Sequence, residues 1–252
     1  MRNKIILTTL LLFLFNGSFA QQEKGITGFT SWLNNWTEFK PNRVEYNETN
    51  QILTGNINVN TLLTKKNVYL LQGKVYVTNN AILTIEPGTV IMGDYDSKAA
   101  LIITKGAKII AEGSETDPIV FTSNRTVRKA GDWGGIILLG DAASNRFSNY
   151  ASVNLDTDPL LATYGGTNKD SNCGILKYVR IEYAGAKTSS SENFNGLLVA
   201  AAGELTVFDN IMVSFCAGDS YEFLGGSVNL NKLISFKSSS DDFKFNYGVF
   251  CN

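Results

Sequence analysis

The sequence predicts an all-β chain wound as a single-stranded parallel β-helix, and three observations predict it. The stretch "ILTIEPGTVIMG", Ile82 to Gly93, returns as "LIITKGAKIIAEG", Leu101 to Gly113, with Leu83, Ile85, Gly88 and Ile91 falling on Leu101, Ile103, Gly106 and Ile109 at an offset of 18. Further on, "VSFCAGDSYEFLGG", Val213 to Gly226, returns as "ISFKSSSDDFKFNYG", Ile234 to Gly248, at an offset of 21 that becomes 22 beyond Phe215. From Ile52 onwards, short β-branched runs alternate with Gly, Asn and Pro, and none has the length and period of an ordinary helix. Such offsets suit one coil of a solenoid, which needs two or three strands of roughly three to five residues with turns between them. The expected stacking puts Ile103 on Ile85 and Ile234 on Val213. "IEYAG", Ile181 to Gly185, reads as a third copy of Val213 to Gly218.

The elements follow in chain order. Residues 1–20 read as a signal peptide: Arg2 and Lys4 are basic, Ile5 to Phe15 is mostly apolar, and Ser18-Phe19-Ala20 is a small-x-small cleavage signature. The apolar run is shorter than the roughly 20 residues that span a bilayer, so cleavage after Ala20 is expected rather than retention as an anchor. No later segment is a transmembrane candidate. Residues 21–52 form an aromatic segment in which Phe29, Trp32, Trp36 and Phe39 stand three and four apart, the period of an amphipathic helix ended by Pro41. That stripe is expected to cap one end of a β core.

Residues 53–252 carry the coils, with "IEPG" and "ITKG" as corners where Gly88 and Gly106 tolerate an unusual φ. A polar insertion is expected at about residues 144–172, and a smaller loop at Ser189 to Asn195. Val249, Phe250 and Cys251 are too few to seal a last coil, so the expectation is a solenoid truncated at its C-terminus, or completed by another chain, that self-associates through the exposed C-terminal coil.

Composition removes several function classes. With 22 basic and 23 acidic residues the formal charge is -1, and no block of like charge is strong enough to hold nucleic acid. There are no histidines, which removes every Ser-His-Asp, Cys-His and His-metal arrangement from this chain acting alone. Cys173, Cys216 and Cys251 are too sparse for a disulfide scaffold; Cys173 and Cys216 either pair or sit as buried thiols.

The blocks "LTIEPGTVIMGD", "GAKIIAEGSETDPIVFTS", "DWGGIILLGDA", "LKYVRIEYAG" and "YEFLGGSVN" together resemble the exported right-handed parallel β-helix proteins of Bacteroidota, a pectate-lyase-like group, from about Leu53 to Gly248. The resemblance implies right-handed winding, in line with the handedness of parallel crossovers. It also implies a place on the outer-membrane surface or outside a Gram-negative cell. Fold does not choose among the lyases, esterases, glycosidases and adhesins that share it.

Candidate chemistry is therefore argued residue by residue. The repeat brings Asp219 near Asp241, with Glu222 and Asp242 close by. That acidic set reads as turn residues bonding local N–H groups, as a calcium site built on Asp219, Asp241 and Asp242, or as a catalytic acid and base. Lys177 and Arg180 are the basic candidates for a lyase. Trp133, Tyr183 and Tyr221 are the candidates for stacking a sugar ring, with a packing role preferred for Trp133. The leading expectation is a cell-envelope or secreted protein that binds polysaccharide or a surface polymer without turnover, with no cofactor beyond possible calcium. A calcium-dependent polysaccharide lyase or glycoside hydrolase and a bare structural spacer or adhesin fragment are the alternatives.

Overall fold

The computed structural model describes residues 31–146 and 148–251. The segment read as a signal peptide and Phe29 lie outside the described residues. The chain divides into two units, 1–34 and 35–252. Of the first, residues 31–34 form part of a turn in which the Asn34 N–H donates to the Ser31 carbonyl at 3.0 Å.

The second unit is the expected all-β, parallel-stranded solenoid. Its strands run β1 (Gln51–Ile57), β2 (Thr61–Leu63), β3 (Val68–Val77), β4 (Ile82–Ile85), β5 (Val90–Gly93), β6 (Ala100–Ile103), β7 (Lys108–Glu112), β8 (Ile119–Ser123) and β9 (Gly135–Leu139). After a short antiparallel pair, β10 (Ala151–Ser152) and β11 (Thr163–Tyr164), come β12 (Gly174–Glu182), β13 (Leu197–Ala200), β14 (Val207–Ser214), β15 (Tyr221–Leu224), β16 (Ser227–Phe236), β17 (Phe243–Asn246) and β18 (Phe250–Cys251).

Each coil lays down three faces. The first carries the starts of β1 and β3, then β5, β8 and the ends of β12, β14 and β16. The second carries the ends of β1 and β3, then β6, β9, β13, β15 and β17. The third carries β2, β4, β7, the starts of β12, β14 and β16, and β18. Every strand of these three faces is parallel to its neighbours, so the backbone of one coil satisfies that of the next.

Inward side chains of all three faces meet in one core that includes Leu71, Ile91, Phe121 and Val213 from the first, Leu101, Ile136 and Phe223 from the second, and Leu83, Ile109, Leu176 and Phe208 from the third.

The observed register corrects the expected stacking. Ile85 pairs with Leu63 and Ala111 on the third face, whereas Ile103 pairs with Val77 and Leu138 on the second. The two copies lie on different faces because each face needs the same in-out alternation and corner glycine, so the pattern recurs from face to face as well as from coil to coil. Val213 pairs with Ser235, and Ile234 with Met212; the offset is 22 throughout, with no inserted residue. Phe223 stacks on Phe245 and Ile181 on Val213 as expected.

Residues 35–46 of the aromatic segment lie along the side of the coils, where a cap over one end was expected. Asn35 Nδ2 donates to Glu115 at 3.0 Å, Trp36 meets Tyr178 edge-on at 5.8 Å, and Phe39 meets Phe236 edge-on at 5.0 Å. Residues 32–36 make turns and Pro41–Arg43 a 3-10 turn, in place of the expected amphipathic helix. The Arg128 guanidinium donates to the carbonyls of Pro41 and Val44 at 3.1 and 2.9 Å, and Arg180 donates to the Tyr46 hydroxyl at 3.0 Å. Residues 35–46 thus form a strap over side chains from several coils.

The second face carries an extra layer. Its outward row is Tyr76, Ile102, Ile137, Leu198, Glu222 and Lys244, one residue per coil. The first four are buried against Val153, Leu155 and Tyr164 of the insertion and Phe194 of the following loop, forming a second apolar cluster. Where that cover ends, the row turns from apolar to charged.

Candidate functional site

Beyond the edge of the second layer the face opens into a groove of about 720 Å³. Glu222 and Lys244 form its floor with Leu198, Leu224 and Asn246; the insertion supplies one wall, including Ser152 to Leu155, and the loop Ser191 to Asn195 another. The strand alternation that sends Tyr221 and Phe223 inward sends Glu222 out between them, and the coil stacking sets Lys244 directly on it.

The polar groups of the groove are tied together. Lys244 Nζ lies 3.1 Å from Asp219 Oδ2 and 3.2 Å from Glu222 Oε1. Asn195 Nδ2 donates to Glu222 Oε2 at 2.7 Å and Asn246 Nδ2 to Glu222 Oε1 at 3.2 Å. Asp219 Oδ1 accepts the Asp241 N–H at 3.1 Å, and the Asp219 N–H donates to Asn195 Oδ1 at 3.0 Å. Burial pushes the Asp219 carboxyl upward, but hydrogen bonds from Ser240, Lys244 and the Asp241 backbone outweigh it and hold the pKa below the ordinary value. Burial likewise works against a charged Lys244, and the two carboxylates outweigh it, so its pKa is raised. At the wall, the Arg146 guanidinium lies 4.0 Å from the centre of the Tyr247 ring.

The expected acidic set is only partly assembled. Asp219 and Glu222 converge on Lys244. Asp241 contributes its backbone N–H, and the Asp242 carboxylate accepts from the Ser235 hydroxyl. Among the described residues no three of His, Cys, Asp and Glu come together to hold a metal ion.

The expected basic members are elsewhere. Lys177 pairs in register with Glu112 and Asp209 on the third face, and Arg180 lies on the first face, its Nε 3.4 Å from Glu182 Oε1. The basic residues of the site are Lys244 and, at the wall, Arg146, and the sequence reading missed both; for Lys244 a signal was present. The 22-residue offset carried the signal, since it puts the Lys of "FKFN" on the Glu of "YEFL".

None of the three aromatic candidates faces the groove. Trp133 is fully buried, with Nε1 donating to the Glu182 carbonyl at 2.7 Å and its ring stacked on Phe121. Tyr183 is buried with its ring on Phe215. Tyr221 is buried between Phe223 and Phe243, and its hydroxyl meets the carbonyls of Ile211 and Ile234 at 2.8 and 2.9 Å. Interior carbonyls supply the acceptors that Trp133 and Tyr221 would otherwise seek in solvent. Tyr221→Phe is accordingly expected to lower unfolding stability by about 1–3 kcal/mol in urea titrations. A ligand-binding role would instead show as weakened binding at unchanged stability.

Cys173 and Cys216 are unpaired and buried, and burial pushes each thiol up to about 12. They are inert core thiols, which settles the alternative left open by the sequence.

Among the described residues no helix is long and apolar enough to cross a membrane. The pectate-lyase-like β-helix domain family matches the chain over residues 55–251. No curated protein and no solved structure matches it.

Proposed function

The chain belongs to the pectate-lyase-like β-helix domain family, and on that premise we propose an exported protein that binds an extracellular polysaccharide or another surface polymer without turnover. The groove over β13, β15 and β17 is its binding site. The observation that carries the reading is the closed network of Asp219, Glu222 and Lys244. A glycoside hydrolase needs one carboxyl kept protonated near neutral pH beside a second that is ionised, about 5 to 9 Å apart. Asp219 is shifted the other way, and Glu222 accepts from Lys244, Asn195 and Asn246 at once. A lyase base of the lysine type needs a lowered pKa, and that of Lys244 is raised. What remains is a polar trough with a half-exposed Tyr247 at its wall, suited to holding sugar hydroxyls and a ring face. Export is supported by Arg2, Lys4, the apolar run to Phe15 and the Ser18-Phe19-Ala20 signature.

Native affinity electrophoresis against a panel of soluble polysaccharides tests this. Tyr247→Ala is expected to weaken retention by about 1–3 kcal/mol with no change in circular dichroism. No new reducing ends or unsaturated products are expected on long incubation, with or without added calcium. Products that disappear in Glu222→Gln would make the protein an enzyme.

A further inference from the structure

Which polysaccharide the groove accepts is written in its charge and in the kind of hydrogen-bonding atom it presents. The ionisable side chains lining it are two cations, Arg146 and Lys244, set against three carboxylates, Glu192, Asp219 and Glu222, with Tyr247 and Tyr164 the remaining titratable groups. Lys244 is already held by two of those carboxylates at 3.1 and 3.2 Å, so its charge is compensated before any ligand arrives. Arg146 is stacked on Tyr247, which leaves its charge in place, and its Nε has no hydrogen-bond partner among the described residues, so the excess of carboxylates over cations is what opposes an anionic ligand.

The hydrogen-bonding sense agrees with the charge. The carboxylate oxygens of Asp219, Glu222 and Glu192 can only accept, whereas a ligand carboxylate also only accepts and can satisfy none of them. A sugar hydroxyl both donates and accepts, and so can bond an oxygen of Glu222 on one side and an amide hydrogen of Asn195 or Asn246 on the other. A uronate entering the groove would add negative charge to a wall that carries an excess of it, in a site partly shielded from solvent.

We propose that the groove selects an uncharged glycan and rejects polyuronates. This rests on the polysaccharide-binding reading above and narrows it.

The test is affinity electrophoresis of the full chain in gels containing xylan, mixed-linkage β-glucan or galactomannan, and in gels containing polygalacturonate or alginate. Retardation by at least one uncharged polymer is expected, about tenfold or more stronger than by either polyuronate, and unchanged between about 0.05 and 0.5 M salt because no net charge is neutralised. Asn246→Ala should reduce that retardation at unchanged melting temperature; full retention would place the site elsewhere and overturn the proposal. The double variant Asp219→Asn, Glu222→Gln, which keeps shape and frees Lys244, should gain retardation by polygalacturonate at low salt. If that variant does not fold, the wild-type comparison decides alone. Salt-sensitive retardation of the wild type by polyuronate would overturn the uncharged-ligand inference and leave the polysaccharide-binding reading standing. Retardation by no polymer at all would overturn both.

Discussion

Replacing Arg180 by Met is expected to cost about 3–5 kcal/mol of unfolding stability at neutral pH, because it strands a buried carboxylate. Glu182 is about 1% exposed, neither of its carboxylate oxygens lies in a well-formed hydrogen bond among the described residues, and the Thr122 hydroxyl supplies only a weak one. Its compensation is the Arg180 guanidinium 3.4 Å away. Arg128, the other cation acting on it, is engaged with the carbonyls of Pro41 and Val44.

Burial raises the Glu182 pKa above the ordinary 4.5, and Arg180 pulls it part of the way back. A carboxyl whose pKa is raised by folding favours the folded state in its protonated form. Its contribution is fully present below the unfolded value and is lost as pH rises through the folded one. Removing Arg180 raises the folded value further and widens that window. The variant should therefore regain stability as pH falls from neutral toward the ordinary glutamate range, more steeply than the wild type. Urea denaturation at neutral and mildly acidic pH measures this. The double variant Arg180→Met, Glu182→Met should return close to wild-type stability, as buried ion pairs replaced by apolar groups commonly do. A cost below about 1 kcal/mol for the single change would mean that the pair is solvated and the strap does not seal it.

Gly174→Ala should be comparably severe. Gly174 is the residue at which the chain re-enters the coil after the insertion; its φ is +112°, and a Cβ there would stand 1.8 Å from the Ile109 carbonyl oxygen. Ile109 is its partner in the β7–β12 ladder, so the methyl can be admitted only by parting two coils. A loss of about 4 kcal/mol or more is expected, in the range reserved for backbone collisions and strained φ. Gly73→Ala is the control: its φ is +70°, yet a Cβ there meets nothing within 4 Å. Only the cost of the left-handed conformation applies, about 1–2 kcal/mol. Equal losses at the two positions in denaturant titrations would show that close approach is not what requires glycine at 174.

The strands and their parallel stacking were legible because a coil must repeat its inward residues, and Phe223 over Phe245 shows that logic succeeding. Register was less legible. Three faces share one alternation, so Ile85 and Ile103 look equivalent in sequence while lying on different sides of the coil. The second layer had a signal that went unread: "ALII" and "GIILL" are buried on both faces, a pattern of strands covered on both sides. Half of the site was visible in the same way. Asp219 and Glu222 could be placed together from the repeat, whereas Asp241 and Asp242 could not be separated from them, because a turn sets side-chain directions that spacing alone does not. Trp133 and Tyr221 failed for a related reason: a polar atom on a ring says nothing about exposure when interior carbonyls such as those of Glu182 and Ile211 are within reach.

A solenoid in which each coil touches only the next should unzip from its ends, one coil at a time, with the outermost amides exchanging first. The strap of residues 35–46 breaks that nearest-neighbour rule. Its contacts reach Glu115 after β7, Arg128 after β8, Tyr178 and Arg180 in β12 and Phe236 in β16. To detach β16 on that side, the chain must also release Phe39, whose segment is held several coils away by Arg128 and Arg180. The strap thereby acts as a tie-rod, joining Phe39 to Phe236 across nearly two hundred residues of intervening chain and coupling coils that would otherwise fray independently.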